Sequence, residues 1–277
     1  MQDGVDPRSA VEAAVAVVRA HGLRCEAPVV LRNAWHVLVH LRPLPLVARV
    51  TSGAPGVDPQ DVVRELAVAR HLASAGAPVL NPSDLLDPGP HEHDAHVLVF
   101  WRFLEEQGEL DAAVAGRGLR TIHEALADYE QALPGPGRGH EVETMLAPFG
   151  SSRDVELLCE LAAGELPQGQ ALHGDAHLFN CIPTAAGPIW HDLESACSGP
   201  REYDLAALVL RDRWSPPDRA ARSALAAYGP YDEDLLEQAL PVYAAWIAAS
   251  FMTATTRRPD AASRLQRQIE FLRRYRP

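Results

Sequence analysis

The stretch His173-Gly174-Asp175-Ala176-His177-Leu178-Phe179-Asn180, followed by His191-Asp192-Leu193-Glu194, gathers side chains suited to chemistry. Asp175 follows the apolar, strand-like run Ala171-Leu172, and a lone carboxylate beside a metal site is able to take a proton from an attacking hydroxyl. Asn180 and Asp192 are oxygen donors of the kind a hard divalent cation accepts. Cys181-Ile182-Pro183 and Ile189-Trp190-His191 are short apolar runs joined by Thr184-Ala185-Ala186-Gly187-Pro188, a pattern that predicts a hairpin. Folded symmetrically about Ala186, that hairpin sets positions 180 and 192 opposite each other. Each of these residues alone is commonly a turn former or a cap. The whole spacing asks for phosphoryl transfer: His, then Asp two on, Asn five further, and a second Asp on the far arm.

Composition narrows the classes. At 277 residues the chain has length for one large domain or two lobes with cores of their own. A net charge of -12 speaks against a nucleic-acid partner. All 25 basic residues are Arg, so a site that ordinarily uses Lys must use Arg here. Cys25, Cys159, Cys181 and Cys197 lack ligand spacing, which fits a reduced, cytoplasmic chain. The apolar stretch from Ala239 to Thr255 contains Pro241 and is shorter than a usual membrane span; it predicts a buried helix and no membrane partner.

The elements that must position these residues fall into two halves. Asp6-Pro7 opens a helix ending at Gly22, with a cap and a Pro at the first position. Residues 28–31 and 35–41 read as strands around a tight turn, 44–50 as a third strand, and 96–101 as a buried strand. Asp58-Pro59 opens a helix that carries Val62, Leu66, Ala69 and Leu72 on one face and stops at Gly76. The polar run 104–109 predicts a linker. Beyond it, Leu119, Ile122, Leu126 and Leu133 predict a helix over 119–133. Further helices are expected over 153–164, 202–213, 217–228, 232–255 and 260–275.

Two charged residues sit where charge is costly. Glu65 lies at the edge of its helix's apolar face, and Arg49 lies mid-strand in an apolar run. A buried unpaired charge is expensive, so the economical arrangement is that they pair.

The order of these parts, with LHGDAHLFN followed by WHDLESACSGPREYDLAAL, resembles the aminoglycoside phosphotransferase/choline kinase group of small-molecule kinases. The resemblance implies an α+β, two-lobed protein-kinase-like fold. A small antiparallel-sheet N-lobe with one key helix would span 1–103, and a larger, mainly helical C-lobe 104–277. It implies Asp175 as catalytic base, His173 as the residue that fixes the catalytic loop, and Asn180 and Asp192 as Mg2+ ligands on the phosphates of ATP. Asp204 would brace the loop. Arg49 would take the place of the phosphate-gripping Lys, with Glu65 its partner. The hinge whose backbone meets adenine would be Phe100, Trp101, Arg102, Phe103 and Leu104. The phosphate-covering loop, Arg32-Asn33-Ala34-Trp35-His36, has no glycine pattern; Asn33 is its candidate phosphate contact.

The leading expectation is therefore an ATP- and Mg2+-dependent kinase acting on a small-molecule hydroxyl. A nucleotide-binding pseudokinase is the alternative, raised by Arg49 and the altered loop. A metal-dependent phosphohydrolase is a third reading, because Gly174-Asp175-Ala176-His177 matches a Gly-Asp-x-His metal loop. It lacks the further His and Asp clusters that two-metal sites need. The acceptor and the oligomeric state are not legible. Asp232, Glu233, Asp234 and Glu237 read as a solvated helix face, and Trp214, Tyr243 and Trp246 as core or as a pocket wall.

Overall fold

The computed structural model describes residues 6–34, 36–52, 59–255 and 261–275. Two expectations, Trp35 in the phosphate-covering loop and the Asp58 cap, lie outside the described residues. The chain divides into Met1–Glu109 with Ile182–Glu194, and Leu110–Cys181 with Ser195–Pro277. The segment 182–194 thus belongs to the N-terminal unit.

That unit begins with α1 (Pro7–Ala20), β1 (Ala27–Asn33), β2 (Val37–Arg42), β3 (Leu46–Ser52), α2 (Pro59–Ser74), β4 (His91–His93) and β5 (His96–Arg102). Asp6 accepts a hydrogen bond from the Arg8 amide and Pro7 fills the first turn of α1, as the cap pattern predicts. The strands form one antiparallel sheet in the order β1-β2-β3-β5-β4. Alternation along β3 turns Ala48 and Val50 toward α1, where they pack with Ala10, Ala14, Val18, Val39, Leu41, Leu98 and Phe100. The intervening Val47, Arg49 and Thr51 point to the other face. β4 lies inside a stretch expected to be loop. It is a three-residue edge strand, and His-Glu-His carries no apolar alternation to announce it. Between β1 and β2 the register slips by one after Val30↔Val39, leaving Leu31 as a bulge.

The C-terminal unit starts with α3 (Ala112–Leu126), α4 (Gly139–Leu146), α5 (Arg153–Ala162) and β6 (Gln170–Leu172). Next in the chain comes the hairpin of β7 (Cys181–Ile182) and β8 (Ile189–Trp190), which from Ile182 on belongs to the N-terminal unit; Thr184 and Gly187 close it by exchanging backbone hydrogen bonds at 3.3 and 3.0 Å. Then follow β9 (Cys197–Gly199), α6 (Glu202–Trp214), α7 (Arg219–Tyr228), α8 (Glu233–Ala254) and α9 (Ala261–Leu272). The helix expected over 119–133 is displaced toward the N-terminus. Asp111 caps it, accepting from the Val114 amide at 3.0 Å, and Ala127 and Tyr129 close its last turn. Gly116 permits α3 and α7 to touch, because a Cβ there would fall on the Ala224 backbone.

α8 is the core of this unit, packed against α4, α5, α6 and α9. From Ala239 onward most of its side chains are buried, including Leu240, Tyr243, Ala244, Ala248 and Met252. Among the described residues it is the one helix long and apolar enough to cross a membrane, and 56% of that window is buried within the protein. The four cysteines are free thiols, three of them buried.

Candidate active site

In the N-terminal unit the chemistry centres on Arg49, in the middle of the sheet between Leu38 of β2 and Val99 of β5. It is buried, and Glu65 of α2, buried as well, meets it with both carboxylate oxygens, Nη1 to Oε1 at 3.1 Å and Nη2 to Oε2. The pairing inferred from burial cost is thus present. Nη1 also donates to Oε2 of Glu194 at 3.2 Å, and Oδ1 of Asp192 stands 3.8 Å away. His36 extends the network, with Nε2 3.2 Å from Glu194 and Nδ1 2.8 Å from the Thr51 hydroxyl.

One guanidinium is therefore shared among three carboxylates, leaving a net negative cluster that favours a second cation. Burial pushes the Glu65 carboxyl up, to about 8; Arg49 pulls it down, and Glu194 and Asp192 add to the upward push. On Arg49 burial pulls downward, but the three carboxylates outweigh it and its pKa is raised. Nε of Arg49 is buried and without a partner among the described residues, a donor in want of an anion. Asp192 holds a φ of 70°, in the left-handed region that Asp and Asn enter more readily than other side chains.

These groups border a cavity of about 340 Å³ within the N-terminal unit. Leu31, Leu38, Val47, Leu80, Trp101, Ile182 and Leu193 form its apolar walls, and Arg49, Glu65, Asp192 and Glu194 its charged side. The bulge at Leu31 turns that side chain toward it. Trp101, Arg102, Phe103 and Leu104 of the expected hinge line the cavity, but Phe100 belongs to the α1 core on the opposite face of the sheet. The amides of Arg102 and Phe103 already donate to the carbonyls of Asn81 and Pro45, at 3.0 and 2.9 Å. Arg32, Ala34 and His36 reach the cavity; Asn33 is exposed and does not line it.

In the C-terminal unit the loop after β6 is clamped by Asp204, fully buried at the start of α6. Its carboxylate accepts from the backbone amides of His173 at 2.9 Å and Gly174 at 2.8 Å, and from Nε2 of His123 at 2.9 Å. His123 in turn meets the Tyr228 hydroxyl at 2.8 Å. Gly174 has a φ of 85°, and a Cβ there would fall on the Ser195 carbonyl oxygen. This geometry holds Asp175 on the far side of the turn.

The Asp175 carboxylate is held by polar groups alone. Tyr243 of α8 donates to Oδ1 at 2.5 Å. Nδ2 of Asn180 donates to the Asp175 carbonyl at 2.9 Å and to Oδ2 at 3.3 Å. His177 Nε2 lies 3.5 Å from Oδ2. Burial, reinforced by the adjacent Asp175, pushes the Tyr243 phenol well up, so it remains a donor. Among the described residues no three His, Cys, Asp or Glu side chains form a metal-ligating group.

Sequence reasoning did not find His123, Tyr228, the Tyr243–Asp175 contact or the contacts of His36. His123 was legible in part, as a His on the apolar face of α3 beside Ile122. The others join residues 15 to 158 positions apart, and no spacing rule reaches them.

Comparison with known proteins bears on the family and the fold. A family model described as a phosphotransferase enzyme family matches residues 26–246. Among solved structures, an amicoumacin kinase in complex with AMP-PNP, Ca2+ and Ami superposes with a TM-score of 0.71 at 13% identity, covering 98% of this chain and 96% of that one. A choline kinase from Streptococcus pneumoniae gives 0.67 at 14% identity, covering 95% and 99%. A spectinomycin phosphotransferase in complex with ADP and its substrate gives 0.61 at 13%, covering 96% and 94%. At such identities the likeness shows the fold. Comparison with curated proteins returned no match.

Proposed function

The chain belongs to the phosphotransferase enzyme family, and from that premise we propose that it is an ATP- and Mg2+-dependent kinase of a small hydroxylated molecule, with Asp175 as base. The observation that carries this reading is the Asp175 carboxylate itself. It is fixed by the Asp204 clamp, hydrogen-bonded by Tyr243 and Asn180, and among the described residues it has no Arg partner.

In the proposed reaction the acceptor oxygen attacks the γ-phosphorus of ATP and its proton passes to an oxygen of Asp175. As the new O–P bond forms, the bond from the γ-phosphorus to the bridging oxygen breaks and ADP leaves. Positioning and charge neutralisation supply most of the acceleration. We assign the cavity of the N-terminal unit to the nucleotide, with the base over Leu31, Leu38 and Trp101 and the phosphates toward Arg49. Because the amides of Arg102 and Phe103 are committed, the hinge donor falls to Leu104. Asn180 and Asp192 are the oxygen donors we assign to Mg2+, which when bound neutralises phosphate charge. His173 holds the loop.

One observation favours the pseudokinase alternative: both terminal nitrogens of Arg49 are engaged by protein carboxylates. The two readings separate by titrating Mg·ATP into the protein and then assaying ADP release over a panel of hydroxylated small molecules. The kinase reading expects binding together with acceptor-stimulated release. Binding without release for any acceptor class supports the alternative, and absence of binding contradicts both.

A further inference from the structure

The C-terminal unit has a cavity of its own, about 410 Å³, a size that takes a small organic ligand. It adjoins the proposed base through two side chains, Tyr243 and His177, which line it and also approach the two oxygens of Asp175. A hydroxyl reaching the inner end of this cavity is therefore delivered to Asp175. The waist is apolar, formed by Trp214, Ile247 and Phe251.

The charge on its lining is the unexpected feature. In a chain of net charge -12, no carboxylate lines this cavity among the described residues, whereas Arg211, Arg264 and Arg267 do. Arg211 is already engaged, stacked 5.1 Å from the Phe179 ring centroid and paired with Asp218 at 3.3 Å. Arg267 has no ion pair among the described residues, and it shares a face of α9 with Arg264 three positions earlier. The acidic run Asp232, Glu233, Asp234 and Glu237 faces elsewhere. Asp232 caps α8, and Glu237 pairs with Arg213.

Among the described residues, two buried atoms of lining residues lack partners: Oε1 of Gln268, in a residue 2% exposed, and Nδ1 of His177.

We propose that this cavity takes an acidic acceptor: a hydroxyl-bearing molecule with an aromatic or similarly apolar body and an anionic group at the end remote from Asp175. Its hydroxyl meets Asp175 beside Tyr243, its body lies along Trp214 and Phe251, and its anionic group faces Arg267 and Arg264. A polycationic or quaternary-ammonium acceptor finds no counter-charge here. The inference rests on reading Asp175 as the base.

Three matched probes test it: 4-(hydroxymethyl)benzoate, 4-(aminomethyl)benzyl alcohol and 4-methylbenzyl alcohol, alike in body and hydroxyl but acidic, basic and neutral at the remote end. Each is titrated against the intrinsic tryptophan fluorescence, with Trp214→Phe identifying the signal that arises in the cavity. The expected result is 4-(hydroxymethyl)benzoate binding about tenfold more tightly than 4-(aminomethyl)benzyl alcohol, the scale of two partly exposed charge pairs. Arg267→Glu should reverse that order. Equal affinities, a preference for the amine, or no binding by any probe would overturn the proposal. Mg·ATP titrated into the same protein keeps the two readings apart. Nucleotide binding without acid preference removes only the acidic acceptor, and acid preference without nucleotide binding removes only the kinase reading.

Discussion

Arg49 is the residue on which the N-terminal unit turns, because three carboxylates converge on its guanidinium. Removing one member of a buried ion pair strands the other. Arg49→Ala is expected to destabilise the protein by about 3–5 kcal/mol, whereas replacing Arg49 and Glu65 together by Met and Leu should recover most of that loss. Urea unfolding of the single and double variants measures both, and a double variant as unstable as the single one would contradict the pairing as the source. Arg49→Lys asks a different question. A shorter, point-charged ammonium cannot hold both Glu65 oxygens in a fork and also reach Glu194. At Asp175 the contact with Tyr243 makes a second residue-scale prediction. Tyr243→Phe removes one hydrogen bond to a carboxylate, which contributes about 1.5–3 kcal/mol where the group is charged. Measured kcat should fall by about tenfold or more, with nucleotide affinity close to the wild-type value. An unchanged kcat would show that Tyr243 only packs. That Arg49 and Glu65 pair was legible in the sequence from the cost of burying each alone. The Tyr243 contact was not, because an aromatic on a helix as apolar as α8 reads as core, and Tyr243 is core as well.

At the scale of elements, the catalytic loop owes its shape to the start of α6. Asp204 is reached by two consecutive amides and an imidazole, so Asp204→Ala orphans three donors in a buried place. Gly174→Ala attacks the same loop from the other side, by forcing a Cβ onto Ser195. The left-handed backbone alone costs about 1–2 kcal/mol for a residue with a Cβ. Both variants are expected to unfold at lower denaturant concentration than the parent, and a wild-type midpoint for either would show the loop to be held by something else. Helix spans in this half were largely readable, since the helices expected over 153–164, 202–213, 217–228, 232–255 and 260–275 each overlap one in the structure. α3 was misplaced because Gly116 and Gly118 lower the helical signal of its first turns, where packing on α7 overrides propensity. β4 and α4 were missed for want of an apolar period.

For the whole molecule, the fold is the two-lobed one that the order of elements announced, and its acidic surface coexists with an arginine-lined cavity in the C-terminal unit. Composition averages over the surface and cannot show that local reversal of sign. Only the folded arrangement of α6, α8 and α9 does. Ligand linkage gives a prediction at this scale. Mg·AMP-PNP at a hundred times its dissociation constant should add about 2.7 kcal/mol to stability, read as a rise in melting temperature. EDTA should remove most of that rise, because phosphates left unneutralised meet Asp192 and Glu194. A rise that is indifferent to EDTA would deny the divalent ion its assigned place.

The account stands or falls on Asp175. The measurement that reaches it most directly is acceptor-stimulated ADP release from Mg·ATP, compared between the wild-type protein and Asp175→Asn, with nucleotide affinity recorded for both. Loss of the base is expected to lower kcat by about 10²–10⁴-fold while leaving nucleotide affinity close to the wild-type value. An Asp175→Asn protein that turns over at the wild-type rate would contradict the assignment of this carboxylate as the base.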